Sequence, residues 1–205
     1  ISAWELAAIV VAFVASGLVR GFNGGAGANF ITAPVLALII GPREGVPIII
    51  LLNLVSNIQV MPGALPHTNW RRMLPVGIAA IVMAPLGAWL LFVIEEDLMR
   101  RIVAGTSIVL SLILLSGWRY RGPRGLPIRV GVGGLGGLVT GSVSMGGPPV
   151  FLYLLSGPGN AASQRADFLA FGLMVQLGAI VSFAISGLIT LELLLLASIL
   201  FIPFT

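Results

Sequence analysis

Cysteine and lysine are both absent from the 205 residues, and a single histidine stands alone. Without cysteine the chain forms no disulfide, offers no thiolate nucleophile and builds no cysteine-type zinc or iron–sulfur site. His67 lies in a polar connection, where it reads as solvated, and with no second histidine or cysteine it makes no metal site. Charge is scarce as well, at 9% of residues, where a soluble domain carries roughly a quarter. No HExxH, no convincing Ser–His pair and no GxxxxGK[ST] loop occurs, so neither an intramembrane enzyme nor ATP-driven chemistry is indicated. No cofactor and no metal is expected. The net charge of +4 does not point to nucleic acid, because the arginines sit in short connections between apolar runs, where they act as a topology signal.

What is abundant is apolar. Hydrophobic residues make up 58% of the chain and the mean hydropathy is +1.08. Apolar runs of about 20 residues recur, which marks an all-α polytopic membrane protein whose partner is the lipid bilayer. The first run, Trp4–Val19, lacks a basic leader and a small-residue cleavage site, so it reads as a span and not as a removed signal peptide. The chain opens at Ile1 without Met and stops at Thr205 inside an apolar run, as a piece of a longer protein would.

One stretch breaks the apolar pattern. Residues 17–34, GLVRGFNGGAGANFITAP, hold five glycines, an arginine, two asparagines and a proline. Glycine at this density loosens a helix and admits close approach of a ligand or another backbone. An opened backbone in hydrocarbon is tolerated only where protein or a water-filled cavity covers it. The stretch therefore predicts a broken helix, either one interrupted span or a re-entrant hairpin, with a helical first piece over 4–19 and a second over 30–40. A related stretch, GLVTGSVSMGGPP, fills 137–149. It predicts a short helix over 130–143, a break over 144–149 and a second piece over 150–156.

Between and after these breaks the sequence predicts spans over 46–62, 74–94, 102–117, 164–187 and, incompletely, 190–204. The whole gives about seven spans. Asn53, Ser56 and Asn57 fall at i, i+3 and i+4 on one helical face, which should turn inward. The longest basic connection, WRYRGPRGLPIR at 118–129, should lie in the cytoplasm, with Arg71 and Arg72 on the same side and residues 95–101 opposite. Trp70 and Trp118 sit at predicted span ends, as in an aromatic belt.

GLVRG at 17–21 and GLVTG at 137–141 are spaced about 120 residues apart, and the same features follow each in order: a glycine break, a short apolar helix, a Gly-Pro turn, and a span carrying amides. This predicts two homologous repeats, 1–117 and 130–205, the second truncated, joined by the basic linker 118–129. Such paired broken helices form a recurring secondary-transporter plan. Four spans per half would make the copies parallel; a hairpin at each break would invert them.

On these two motifs and the order of spans around the basic linker, nearly the whole chain resembles the TauE/SafE sulfite exporter family, also called the 4-toluene sulfonate uptake permease family. The first motif departs from a pure glycine run at Asn23 and Ala26. The resemblance implies a bacterial inner-membrane transporter for sulfite or organosulfonate anions, typically of eight spans.

The chemistry at the breaks fits an anion. The start of a second helical piece exposes free N–H groups and a positive dipole end, which bind oxyanions. Those starts are expected near Ala28-Asn29-Phe30 and Pro148-Pro149-Val150. The candidate substrate-binding residues are Arg20, Asn23, Gly24, Gly25, Gly27 and Asn29 at the first break, Ser144, Gly146 and Gly147 at the second, and Asn53, Asn57 and Gln176 on the neighbouring spans. Glycines that merely let helices pack closely are the competing explanation, but packing does not require the asparagines. Arg20 either supplies counter-charge through its guanidinium or snorkels to the interface. Asn53, Asn57 and Gln176 either contact substrate or join helices. Asp167 with Arg165 is expected to form an interfacial pair in preference to a proton relay. The expected function is secondary transport of a small sulfur oxyanion by alternating access, with an anion channel as the alternative. The inside-negative potential drives an anion out by about 2.3 kcal/mol per charge per 100 mV, so export needs no coupling ion. Oligomeric state stays open, a homo-oligomer among the options.

Overall fold

A computed structural model describes the backbone of residues 3–23, 29–157 and 160–204; the side chains of residues 3, 20–23, 192, 196, 199 and 202–204 lie outside that description. All regular structure among the described residues is helical. The helices are α1 (Ala3–Asn23), α2 (Asn29–Ile39), α3 (Pro42–Ala64), α4 (Trp70–Val93), α5 (Glu96–Leu115), α6 (Leu126–Val143), α7 (Gly147–Leu155), α8 (Ala161–Ile185) and α9 (Leu191–Phe204), with a 3-10 turn at Leu65–His67. Five of these segments are long and apolar enough to cross a membrane: α3 with the turn after it, α4, α5, α6 and α8. Trp4–Val19 and α2 are shorter apolar helices. Trp70 opens α4, Trp118 follows α5, and His67 is exposed.

The helices reach further into both motifs than the glycine content predicts. α1 stays helical through Gly17 and Gly21 to Asn23. α6 runs from Leu126 to Val143 and α7 resumes at Gly147, so the second break is only Ser144-Met145-Gly146. Two prolines near the start of α7 explain the early restart, since the first turn of a helix needs no proline N–H and the fixed φ suits it.

Helix directions follow from which residues meet. A Cβ added at Gly133, Gly137 or Gly141 of α6 would overlap the backbone carbonyls of Val76, Ala80 and Ala84 of α4, in that order. The helices therefore run parallel with bare backbones in contact, a small-residue seam repeated every four residues. Gly77 faces Met174 and Gly178 faces Ile81, so α8 also runs parallel to α4. α3 runs opposite to α8: Asn57 bonds Gln176, and Met61 and Ala64, further along α3, cluster with Ala166, Leu169 and Ala170, earlier on α8.

Since α6 and α8 point the same way, the chain between them must return. It does so at Ser144. A Cβ on Gly146 would overlap the carbonyl of Gly136, ten residues back, and the hydroxyl of Thr140. The far end of α7 lies beside the segment that precedes α6: the Tyr120 N–H donates to Ser156 Oγ at 2.8 Å and Arg124 donates to the Tyr153 carbonyl at 3.2 Å. The second break is thus a hairpin turn and not a gap in a straight rod. At the first, α2 packs on both α1 and α3.

Side chains satisfy several backbone groups that the helices leave open. Pro34 has no N–H, so the Phe30 carbonyl four residues earlier loses its helical donor; Ser107 Oγ of α5 donates to it at 2.9 Å. Asn69 and Asn160 cap α4 and α8, each accepting from the N–H three residues on.

Candidate functional site

The inward face of α3 carries Asn53, Ser56 and Asn57, all buried. Asn57 Nδ2 donates to Gln176 Oε1 of α8 at 2.9 Å, and Asn53 Nδ2 donates to Asn29 Oδ1 at 3.1 Å. Asn29, the first residue of α2, donates from Nδ2 to the Ser144 carbonyl at 2.6 Å. One bond therefore joins the start of the helix after the first break to the first residue of the second.

Asn29, Asn53, Asn57 and Gln176, but not Ser56, line a cavity of about 60 Å³ together with Thr140, Ser144 and Gly147, and with apolar walls from Ile50, Phe168, Leu169, Phe171 and Val175. Gly172 forms part of the wall on α8. None of the described lining residues is charged. A cavity that holds benzene measures about 150 Å³, so this one has room for a compact guest and not for an aromatic ring.

Ser144 is the most constrained residue of the site. It adopts φ 59, ψ 16, the only positive φ among the described non-glycine residues. That conformation costs a residue with a Cβ about 1–2 kcal/mol. The residue borders the cavity, and its buried hydroxyl has no hydrogen-bond partner. Thr140 is different: its hydroxyl donates to the Gly136 carbonyl at 2.7 Å. Pro148 and Pro149 carry no N–H, so the expectation of free amides around Pro148-Pro149-Val150 is corrected: the amides available at this end are those of Gly146 and Gly147, and of these only Gly147 borders the cavity.

Of the residues singled out in the sequence, Asn29, Asn53, Asn57, Ser144, Gly147 and Gln176 meet around this one cavity. Gly146 does not line it, and packs instead against Gly136 and Thr140. Gly24, Gly25 and Gly27, and the side chains of Arg20 and Asn23, lie outside the described residues. Sequence reasoning misses Thr140, Phe168, Phe171 and Gly172. Thr140 stands inside the GLVTG motif, and Phe168, Phe171 and Gly172 precede Gln176 at helical spacing, so the signal that could have found them is periodicity on α8.

Asp167 is not paired with Arg165. Its carboxylate is fully buried and takes Arg72 Nη1 at 3.3 Å and the Asn69 N–H at 2.7 Å, contacts 95 and 98 residues away in sequence and hence invisible to local spacing. Among the described residues no group of three or more His, Cys, Asp or Glu could hold a metal.

No curated protein and no solved structure matches the chain. The sequence model of the family described as Sulfite exporter TauE/SafE matches residues 8–205. This match covers nearly the whole length, and the chain belongs to the TauE/SafE sulfite exporter family.

Proposed function

We propose that the chain is a secondary transporter that carries a small sulfur oxyanion across the membrane by alternating access, with the Asn29–Asn53–Asn57–Gln176 cavity as its binding site. The observation that carries this is the Asn29–Ser144 bond, which brings the two glycine-rich breaks together at a buried, uncharged pocket. An oxyanion such as sulfite presents three oxygens to donors. Side-chain amides now spent on neighbouring carbonyls can turn toward such a guest, and a hydrogen bond to a charged group is worth about 1.5–3 kcal/mol. The unpartnered Ser144 hydroxyl can turn to such a guest as a further donor without adding charge.

The halves are inverted in this proposal. α3 and α8 each follow a short helix, α2 and α7, and they run in opposite directions, which supports two-fold related repeats on the inverted plan. The arginines of 118–129 and of the α4 start share one end of the bundle, and under the positive-inside rule that end faces the cytoplasm.

Uptake into proteoliposomes with sulfite, thiosulfate, sulfoacetate, taurine and sulfate tests the proposal. Saturable flux of sulfite or a sulfonate with counterflow is expected. Single-channel currents would make the protein a channel instead, and no interaction with any of the five would overturn the substrate class. Gly172 provides a sharper check. A Cβ there would stand 2.7 Å from Asn57 Nδ2, so Gly172→Ala must displace the Asn57–Gln176 pair. Sulfite affinity measured by calorimetry is expected to fall about tenfold, the response to a cost of roughly 1–3 kcal/mol.

A further inference from the structure

One polar cluster outside the cavity takes no part in the binding proposed for it. Asp167 sits at the start of α8 with its side chain 0% exposed, while its partner Arg72, at the start of α4, is 17% exposed. The Asn69 N–H, at the N-cap of α4, adds a second bond to the same carboxylate. A buried ion pair is a poor source of net stability, because desolvation offsets most of its attraction, yet breaking it by removing one partner is costly. Such a pair suits a contact that has to be either fully made or fully released.

Its place gives it something to release. The residues just after it on α8, Phe168 and Leu169, wall the cavity. Leu169 also packs with Met61 and Ala64 at the end of α3. Outward from the cavity there is thus an apolar plug, then the ion pair, then the arginine-bearing end of the bundle. The polar bridges from elements before residue 118 to those after it include Asn29–Ser144, Asn57–Gln176 and the Asp167 cluster with Arg72 and Asn69. The first two lie in the cavity. The Asp167 cluster carries charge and lies beyond it.

We propose that the Arg72–Asp167 pair is a latch that holds the arginine-bearing mouth of the cavity shut. Opening that mouth separates the start of α8 from the start of α4, and exposes both charges to water as it does so. The latch extends the alternating-access reading, and its test is independent of substrate.

The absence of cysteine from these 205 residues supplies a clean background. Val175→Cys places one thiol on the cavity wall. Its modification by an anionic, membrane-impermeant thiol reagent is followed in full-chain protein in inside-out and right-side-out vesicles. Added to Val175→Cys, both Asp167→Asn and Arg72→Gln should speed labelling from the arginine-bearing face about tenfold through a shift toward the open state. Labelling from the opposite face should not rise, and Arg72→Lys, which keeps the charge, should stay near the parent rate. Unchanged rates in both neutral variants, or equal acceleration from both faces, would overturn the latch. So would an Arg72→Gln protein that fails to fold, because the pair would then be a structural brace. If the unsubstituted protein binds no sulfite while the Val175→Cys series labels as expected, the transport proposal fails and the latch stands.

Discussion

Gly137→Leu should abolish assembly of the bundle. A single Cβ at this position would overlap the Ala80 carbonyl and stand 2.6 Å from the Ala80 Cα, so the obstacle is backbone, which no rotamer change relieves. Overpacking a fitted core costs typically about 1–3 kcal/mol, and here three more heavy atoms have to enter a seam with no gap. Separating α4 from α6 at one rung also lifts the rungs at Gly133 and Gly141. The measurement is thermal unfolding in detergent together with the yield of monodisperse protein. The expected result is a loss of more than about 3 kcal/mol, enough to leave little folded material. Gly131→Leu is the matched control on the same helix: it is exposed, a Cβ there would meet nothing within 4 Å, and the variant should behave like the parent. Equal stability of the two variants would show that the seam does not hold the fold.

The second large effect is expected at Asn29. Asn29→Ala removes the 2.6 Å bond to the Ser144 carbonyl and the acceptor for Asn53. Leaving a buried polar group without its partner costs about 1–3 kcal/mol. The site should therefore lose about 10- to 100-fold in sulfite affinity by calorimetry. Asn29→Asp should lose more, since it puts a fixed negative charge in the same uncharged cavity as an anion; two like charges about 4 Å apart repel by several kcal/mol at intermediate dielectric. In a double-mutant cycle, Asn29→Ala and Asn53→Ala should be strongly non-additive, because they remove the same bond. Affinities within about twofold of the parent, with unfolding unchanged, would detach both residues from binding.

The inward face of α3 is legible in the sequence because helical period alone fixes it: asparagines at 53 and 57 with serine at 56 cannot face lipid, and all three are buried. Family membership is legible in the two glycine motifs. The extent of the breaks is not. Gly17 and Gly21 look like helix breakers in water, yet α1 runs through them, because in an apolar setting an unbonded backbone costs more than glycine's entropy. The reversal at Ser144 is equally hidden. A three-residue interruption can continue a rod or turn it back, and the choice is made by Gly136, against which Gly146 packs. Asp167 shows the same limit, since Arg165 is its neighbour in sequence and Arg72 its partner in space.

The bare-backbone seam bears on how such a machine could move. α4 precedes the basic linker and α6 follows it, so the two halves of the chain are fastened to each other along a line of touching main chains. A seam of that kind tolerates rotation about its own length far better than separation or sliding, since sliding would drive carbonyls against the residues between the glycines and separation would strip the bare backbones of their packing. Rocking of one half on the other would then pivot on this spine, with the largest travel at the edge farthest from it.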